Sequence, residues 1–398
     1  MRPGTLPRLR WFAQRQLGLD AWLAHPGDGR CRPRIAAGVL LWAQLMAHIF
    51  REASFHGVEA LVRSPARRRL GVARRFGDDT LAYCSQRLDA ERTRQCLAEV
   101  LKRAKRNKAL QGGVWIGLAF DGTGAGRSLG SLARCRLCHP QRDAHGHVIA
   151  HGHKLALVSV VGCGLSLPFD VEPYGPGDSE YAASQRLLER VIARLGPRFA
   201  DYAVGDGEYA TAPFLHAVGG AGLHAVARLK GNLPELQAAV AARFDALPPS
   251  ACFHNGRDYV EAWDADDFDP WETLRWKTVR VLRYRQHRPD GSVVEAEWLT
   301  DFPPAKAGSH ALYRMAKSRW EIENQGFNDA KNRHGFEHIP HHHANSLLIH
   351  WLLILLALVV ERLFRLRFLR RGAHPVLSSI QLLRRLRLQL ALRPCDSS

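Results

Sequence analysis

Val114–Phe120 (VWIGLAF), followed at once by Asp121-Gly122-Thr123, is the stretch that decides the fold. A short continuous apolar run, set off by Gly112-Gly113 before it and a polar turn after it, reads as a buried strand. Working outward toward the C-terminus, a polar stretch rich in Cys and His runs to His153. Leu155–Gly162 and Leu165–Val171 then read as two strands around Gly162-Cys163-Gly164. Glu180–Leu195 carries the apolar period of an amphipathic helix, with Ser179 or Asp178 as cap and Gly196-Pro197 as stop. Asp201–Val204 is a short strand leading to Asp206, Thr211–Val218 is helical, and His224–Leu229 is a further strand. The order is β-β-β-α-β-α-β, an α/β sheet with one Asp just after its first strand and another just after its fourth. Strand ends are where such a sheet presents side chains to a crevice.

The flanks are organised differently. Residues 231–305 break the α/β alternation: Trp276–Arg285 and Val293–Leu299 surround Pro289-Asp290-Gly291, the pattern of an antiparallel β insertion. Residues 306–345 turn helical, and 346–398 form a helical, Arg-rich end. Residues 1–110 also read as helices, among them Ile35–Phe50 and two segments capped at Asp78-Asp79-Thr80 and at Asp89. Lys102, Arg103, Lys105, Arg106 and Lys108 gather at the end of the last of these. They are candidate contacts to DNA phosphates, although basic residues there also suit the helix dipole.

The chain has 398 residues, 46% apolar and 24% charged, enough for two or three domains and not the composition of a disordered chain. Its net charge is +18, which points to a polyanionic partner, nucleic acid first. Residues 1–110 carry 22 basic and 9 acidic side chains, residues 331–398 carry 11 and 3, and the centre carries 23 and 26. Basic flanks around a mildly acidic centre suit an enzyme that grips a polyanion outside and holds cations between carboxylates inside. Eight scattered cysteines do not make a disulfide framework. Met1–Asp20 has no apolar signal-peptide core, and Leu347–Val360 is shorter than a spanning helix needs. The expectation is a cytoplasmic, nucleoid-associated protein with no membrane partner.

Phosphoryl transfer on nucleic acid commonly uses two divalent metals about 3.5–4 Å apart, clamped by carboxylates. Asp121 and Asp206 supply two of these. The third is expected on a rigid helix packed across the sheet, and Glu323, in Arg319-Trp320-Glu321-Ile322-Glu323-Asn324, is the best choice. Arg319 lies one turn before it on the same face. Trp320, Phe327 and Ala330 form the expected buried stripe, and Glu321 projects about 160° away from Glu323.

These blocks together resemble the bacterial insertion-sequence transposases of the DDE, RNase H-like superfamily. The nearest branch is insertion sequence family four, with its Tyr-Arg-Glu-Lys signature. The matching residues are Asp121-Gly122-Thr123 with Ser128, then Asp206-Gly207-Glu208-Tyr209 with Arg228-Leu229-Lys230, and Arg319 to Glu323 followed by Gly326-Phe327-Asn328, Lys331, Gly335 and His338. Two positions depart from the signature. Ala316 stands three before the Arg in place of Tyr, with Tyr313 at six, and Lys331 falls eight rather than seven after the Glu.

The resemblance covers roughly residues 75–395. It implies an α/β fold: an RNase H-like catalytic core, a mixed five-stranded sheet with helices, plus a β-rich insertion and an all-α N-terminal domain. It further implies Asp121, Asp206 and Glu323 as the catalytic, metal-holding triad, with Mg²⁺ or a substituting Mn²⁺. Arg319 and Lys331 would hold phosphates, and the N-terminal helices would bind the terminal inverted repeats. The reaction would be strand cleavage at transposon ends and transfer into target double-stranded DNA, by a homodimer in the synaptic complex. A tryptophan of the insertion would take a flipped base, with Trp263, Trp271, Trp276 and Trp298 all in range. Two other readings stay open: a non-catalytic, decayed or domesticated DNA-binding protein, and another RNase H-like nuclease.

Cys135-Arg136-Leu137-Cys138, followed by His139, His145, His147, His151 and His153, has the start of a tetrahedral zinc site. No second Cys pair completes a ligand set, so structural Zn²⁺ rests on Cys135 and Cys138 alone. His341-His342-His343, three in a row, reads as surface.

Overall fold

The computed structural model describes residues 4–371, 374–375 and 378–391; residues 372–373, 376–377 and 392–398 of the predicted Arg-rich end lie outside these. Seven α-helices, with a π-helical turn at Phe12–Gln16 after the first, open the described residues: α1 (Thr5–Trp11), α2 (Leu19–Ala24), α3 (Ala37–Ile49), α4 (Phe55–Arg63), α5 (Ala66–Leu70), α6 (Asp78–Ser85) and α7 (Ala90–Arg106). The Asp89 carboxylate caps α7 by accepting from the Glu91 amide. Helix α6 starts at Asp78 itself, so Asp78 and Asp79 serve its first turn and not its cap.

The sheet follows: β1 (Gly117–Leu129), β2 (His139–Arg142), β3 (Val148–Val161), β4 (Leu167–Tyr174), α8 (Glu180–Leu195), β5 (Tyr202–Gly205), α9 (Ala212–Gly220) and β6 (His224–Leu229). Its five principal strands lie in the order β4-β3-β1-β5-β6. Strand β3 runs antiparallel to β1 and β4, while β1, β5 and β6 are parallel. This is the RNase H-like arrangement. Strand β1 is longer than the apolar run suggested. Its parallel pairing with β5 ends at Ala119, but its antiparallel pairing with β3 continues to Leu129. Asp121 therefore lies inside a strand and not at its end, at the point where one of the two neighbours stops. A bulge between Ala125 and Arg127, where Gly126 takes φ +69°, bends the outer half of β1.

Next come α10 (Pro234–Phe244), β7 (Ala251–Asn255), β8 (Asp258–Phe268), β9 (Val279–His287) and β10 (Val293–Thr300). The expected insertion is β-rich, but it is not a sheet apart: β10 pairs antiparallel with β6, so these strands extend the core sheet. Helix α11 (Ser309–Glu321) then crosses that sheet and passes through a π-helical turn, Ile322–Phe327, into α12 (Asn328–His334).

Helix α13 (Ala344–Phe368) is the spine of the molecule, and α14 (Ser379–Ala391) follows it. The sequence reading of Leu347–Val360 made α13 too short. At 25 residues it is long and apolar enough to cross a membrane, yet 94% of its apolar window is buried inside the protein. It packs on β4 on one side and on α3, α6 and α7 on the other. One continuous apolar core therefore runs from Leu6 through the sheet to Leu386, and residues 1–110 share it.

Candidate functional site

Asp121 and Asp206 meet through strand register. Ala119 pairs with Val204 in the parallel ladder, and each Asp lies two residues beyond its paired neighbour. Adjacent strands run about 4.8 Å apart, so the two carboxylates leave the same edge side by side. Asp206 also caps the short helical turn Gly207–Tyr209, its Oδ1 accepting from the Glu208 amide at 2.9 Å. Lys230, at the end of β6, comes within 3.5 Å of its Oδ2.

Glu323 arrives from the π-helical turn, which packs against β1, β3 and β4. Arg319 joins two of the three acids: it donates to Asp121 Oδ2 at 3.2 Å and to Glu323 Oε2 at 3.3 Å. The Arg319 side chain is 9% exposed and the Glu323 side chain 47%, so the Arg lies beneath an acid that faces solvent. Burial pushes the Asp121 carboxyl up to about 7, opposed by Arg319 and assisted by the negative charges of Glu323, Glu180 and Asp206. A carboxylate raised in this way is short of positive charge. A cluster of hard oxygen donors with no thiol or imidazole among them fits Mg²⁺ or Mn²⁺.

The sequence reading missed Glu180. Its Oε1 accepts from the Tyr209 hydroxyl at 3.0 Å, and that hydroxyl also meets Ser184 Oγ at 2.9 Å. A Cβ at Gly122 would stand 1.8 Å from Glu180 Oε2, so a side chain here would push the Glu180 carboxylate aside. The only signal in the sequence was that Glu180 opens the helix after β4, a position that looks like ordinary helix-dipole chemistry.

The two departures from the signature now have a physical setting. A π-helical turn holds one residue more than an α-helical turn. The extra residue between Glu323 and Lys331 offsets the extra position, and Lys331 returns to the face it would hold at seven. Its Nζ lies 3.4 Å from Glu337, in a groove of about 440 Å³ shared with Arg127 and Lys154. Those two cations were also missed, because each sits in an alternating strand beyond the apolar run. Tyr313 does not replace the absent Tyr. It is buried against Tyr284, and its hydroxyl pairs with Gln286 and Asn255. Glu321 turns away as expected and accepts from the Gly162 amide at 3.1 Å. Trp320 is only partly buried, whereas Phe327 and Ala330 are buried.

The basic cluster of α7 lies apart from this site. Lys105 donates to the carbonyls of Arg198 and Phe199, just before β5 begins, which is the sheet edge opposite Asp206. Lys102 pairs with Glu99, and the Arg103 guanidinium fills the space over Gly18. Arg106 and Lys108 are exposed. Trp298 is fully buried and Trp263 nearly so, its indole N–H donating to Leu247 O, so neither offers a face to a base. Trp271 and Trp276 are partly exposed.

Cys135, Cys138 and His153 converge, with His153 contributed by β3. His145 and His147 are exposed, His139 bonds to Tyr174 O and His151 to Gly130 O. Of the three consecutive histidines, His341 and His342 are half-buried, contrary to the surface reading, because the loop before α13 lies against the β1–β3 pair.

A family model described as a transposase DDE domain matches residues 138–360, more than half of the chain. The matched span contains Asp206, Arg319, Glu323 and Lys331 and starts after Asp121. Among solved structures, a cryo-EM synaptic complex of piggyBac transposase with hairpin DNA is similar at 12% identity. The match covers 93% of this chain and 75% of that one, with a TM-score of 0.43. No curated protein matches.

Proposed function

From the premise that this chain belongs to the transposase DDE domain family, we propose that it cuts the ends of a DNA element and joins them to target DNA. We further infer that it works as the insertion-sequence branch with the Tyr-Arg-Glu-Lys signature does. The observation that carries this reading is that Asp121 and Asp206 leave adjacent parallel strands side by side, while Arg319 joins Asp121 to Glu323 from the helix that crosses them.

In this reading Asp121, Asp206 and Glu323 hold divalent cations, with Glu180 close behind Asp121. Bound there, such ions activate the attacking oxygen and stabilise the leaving one. Arg319 keeps Asp121 and Glu323 oriented. Arg127, Lys154 and Lys331 line the adjoining groove and neutralise phosphates along the strand leading to the cut, which makes binding steeply salt-dependent. Two copies bring two element ends together on the nucleoid.

The test is cleavage of DNA carrying the inverted repeat that flanks the coding region, with Mg²⁺, Mn²⁺ or EDTA. Wild type should nick at the repeat boundary in either metal, and Asp206→Asn should not. Tight binding of the repeat without a nick in either metal would instead establish a non-catalytic DNA-binding protein.

A further inference from the structure

We propose that Cys135, Cys138, His153 and His342 form a four-coordinate zinc site that staples the β1–β2 connection to the loop after the Glu323 helix. The proposal stands independently of the transposition reading.

Three of the four ligand atoms are already arranged as one face of a tetrahedron. Cys135 Sγ and Cys138 Sγ are 3.6 Å apart, and His153 Nε2 lies 3.6 Å from the first and 3.8 Å from the second. With Zn–S near 2.3 Å and Zn–N near 2.0–2.1 Å, a regular tetrahedron has edges of about 3.5–3.8 Å. The backbone supports the same geometry: the Cys138 amide donates to Cys135 O, closing the tight turn that aims both thiols to one side. Cys138 and His153 are buried and Cys135 partly so, which suits a closed structural site.

The candidate for the fourth corner is His342, whose ring nitrogens stand just outside the three-residue cluster and would close on a bound ion. Its ring centre lies 6.0 Å from that of His153. Its Nε2 is buried and has no hydrogen-bond partner. A buried nitrogen left unpaired costs free energy, and a metal bond is one way to recover it. His342 belongs to the loop joining α12, which carries Lys331, to α13. The ion would therefore bind the outer half of the β1–β3 pair to the segment that positions Lys331 at the groove. On binding, the two thiols lose their protons to solvent and the imidazoles bind as neutral bases.

The experiment is metal analysis of the full chain, followed by Zn²⁺ and Co²⁺ titration of chelator-stripped protein. Wild type should contain one zinc per chain. Its Co²⁺ form should show thiolate charge transfer and the strong visible bands of a four-coordinate ion. Cys138→Ser should lose the metal. His342→Ala should keep both thiolates but weaken Zn²⁺ binding at least about ten-fold and alter the visible bands. Asp121→Asn should still carry one zinc, which separates this site from the carboxylate cluster. Should Cys138→Ser fail to fold, release of zinc from wild type by a thiol-blocking mercurial reports the thiolate ligands in its place. Wild type that neither contains nor takes up Zn²⁺ or Co²⁺ would overturn the site. Unchanged affinity and bands in His342→Ala would overturn the fourth ligand.

Discussion

Asp121 is the residue in which burial and charge compete most directly. Burial raises its carboxyl to about 7 from an ordinary value near 3.8, and Arg319 only partly opposes this. The folded chain thus keeps a proton that the unfolded chain releases. The sign follows from linkage: this contribution to metal-free stability is full below about pH 4 and falls as pH rises to about 7, by a few kcal/mol at most. Asp121→Asn should remove that slope, and the metal-free variant should melt higher than wild type at pH 8. Mg²⁺ should raise the melting temperature of wild type at pH 8 and leave the variant unchanged. Cleavage by wild type at limiting Mg²⁺ should rise with pH, and saturating Mg²⁺ should shift that rise to lower pH, because the ion competes with the proton for the carboxylate. Thermal melts from pH 4 to 9 with and without Mg²⁺, together with a pH–rate profile, check all three.

At the scale of elements, the π-helical turn is the feature to account for, since a wide turn leaves carbonyls without their usual partners. Arg362 of α13 supplies one: its guanidinium donates to the Gln325 and Ser166 carbonyls and to Asp329 Oδ2 at 2.8 Å. The turn that carries Glu323 is held from behind by a buried cation on another helix. Arg362→Met should cost about 3 kcal/mol in urea unfolding, at the low end for a broken buried pair because Asp329 keeps Arg333. It should also lower cleavage more than DNA binding, since the phosphate-facing residues stay in place. Equal losses of both would mean that Arg362 acts only through global stability. The apparent one-residue error in the signature is thus a property of the helix and not of the site. Sequence spacing assumes 3.6 residues per turn throughout, and no residue in Ile322–Phe327 announces a wider one.

Across the whole molecule, α13 makes the helical N-terminal part and the sheet one cooperative body. It is buried almost all round, between β4 and the helices α3, α6 and α7. Buried polar groups cross the same boundary: Arg94 of α7 donates to Asp170 Oδ1 of β4 at 2.9 Å, and Arg51 to Glu361 of α13 at 2.6 Å. Calorimetry should show a single unfolding transition, and Leu355→Ala, at a fully buried position, should lower it as a whole by about 2–5 kcal/mol. Two separable transitions would contradict a shared core. This also bears on the charge pattern. Part of the positive charge of residues 1–110 is taken up by carboxylates of α13 and the sheet, through Arg51 and Arg94.

What the sequence determined by itself is local and periodic: the order of the five principal strands and their helices in 114–229 though not the short β2, the cap at Asp89, and the three acidic blocks with Arg319. These follow from alternation, helical period and capping chemistry within a few residues. Tertiary structure alone decided what depends on partners far along the chain. Asp121 is interior to a strand because β3 outlasts β5 beside it. The insertion is part of the core sheet because β6 had an open edge for β10 to pair with. Glu180 comes up behind Asp121, and His342 comes to lie beside His153, because packing brings together segments whose spacing in sequence carries no period. A pattern read along one segment reports which face is buried, but not which distant segment buries it.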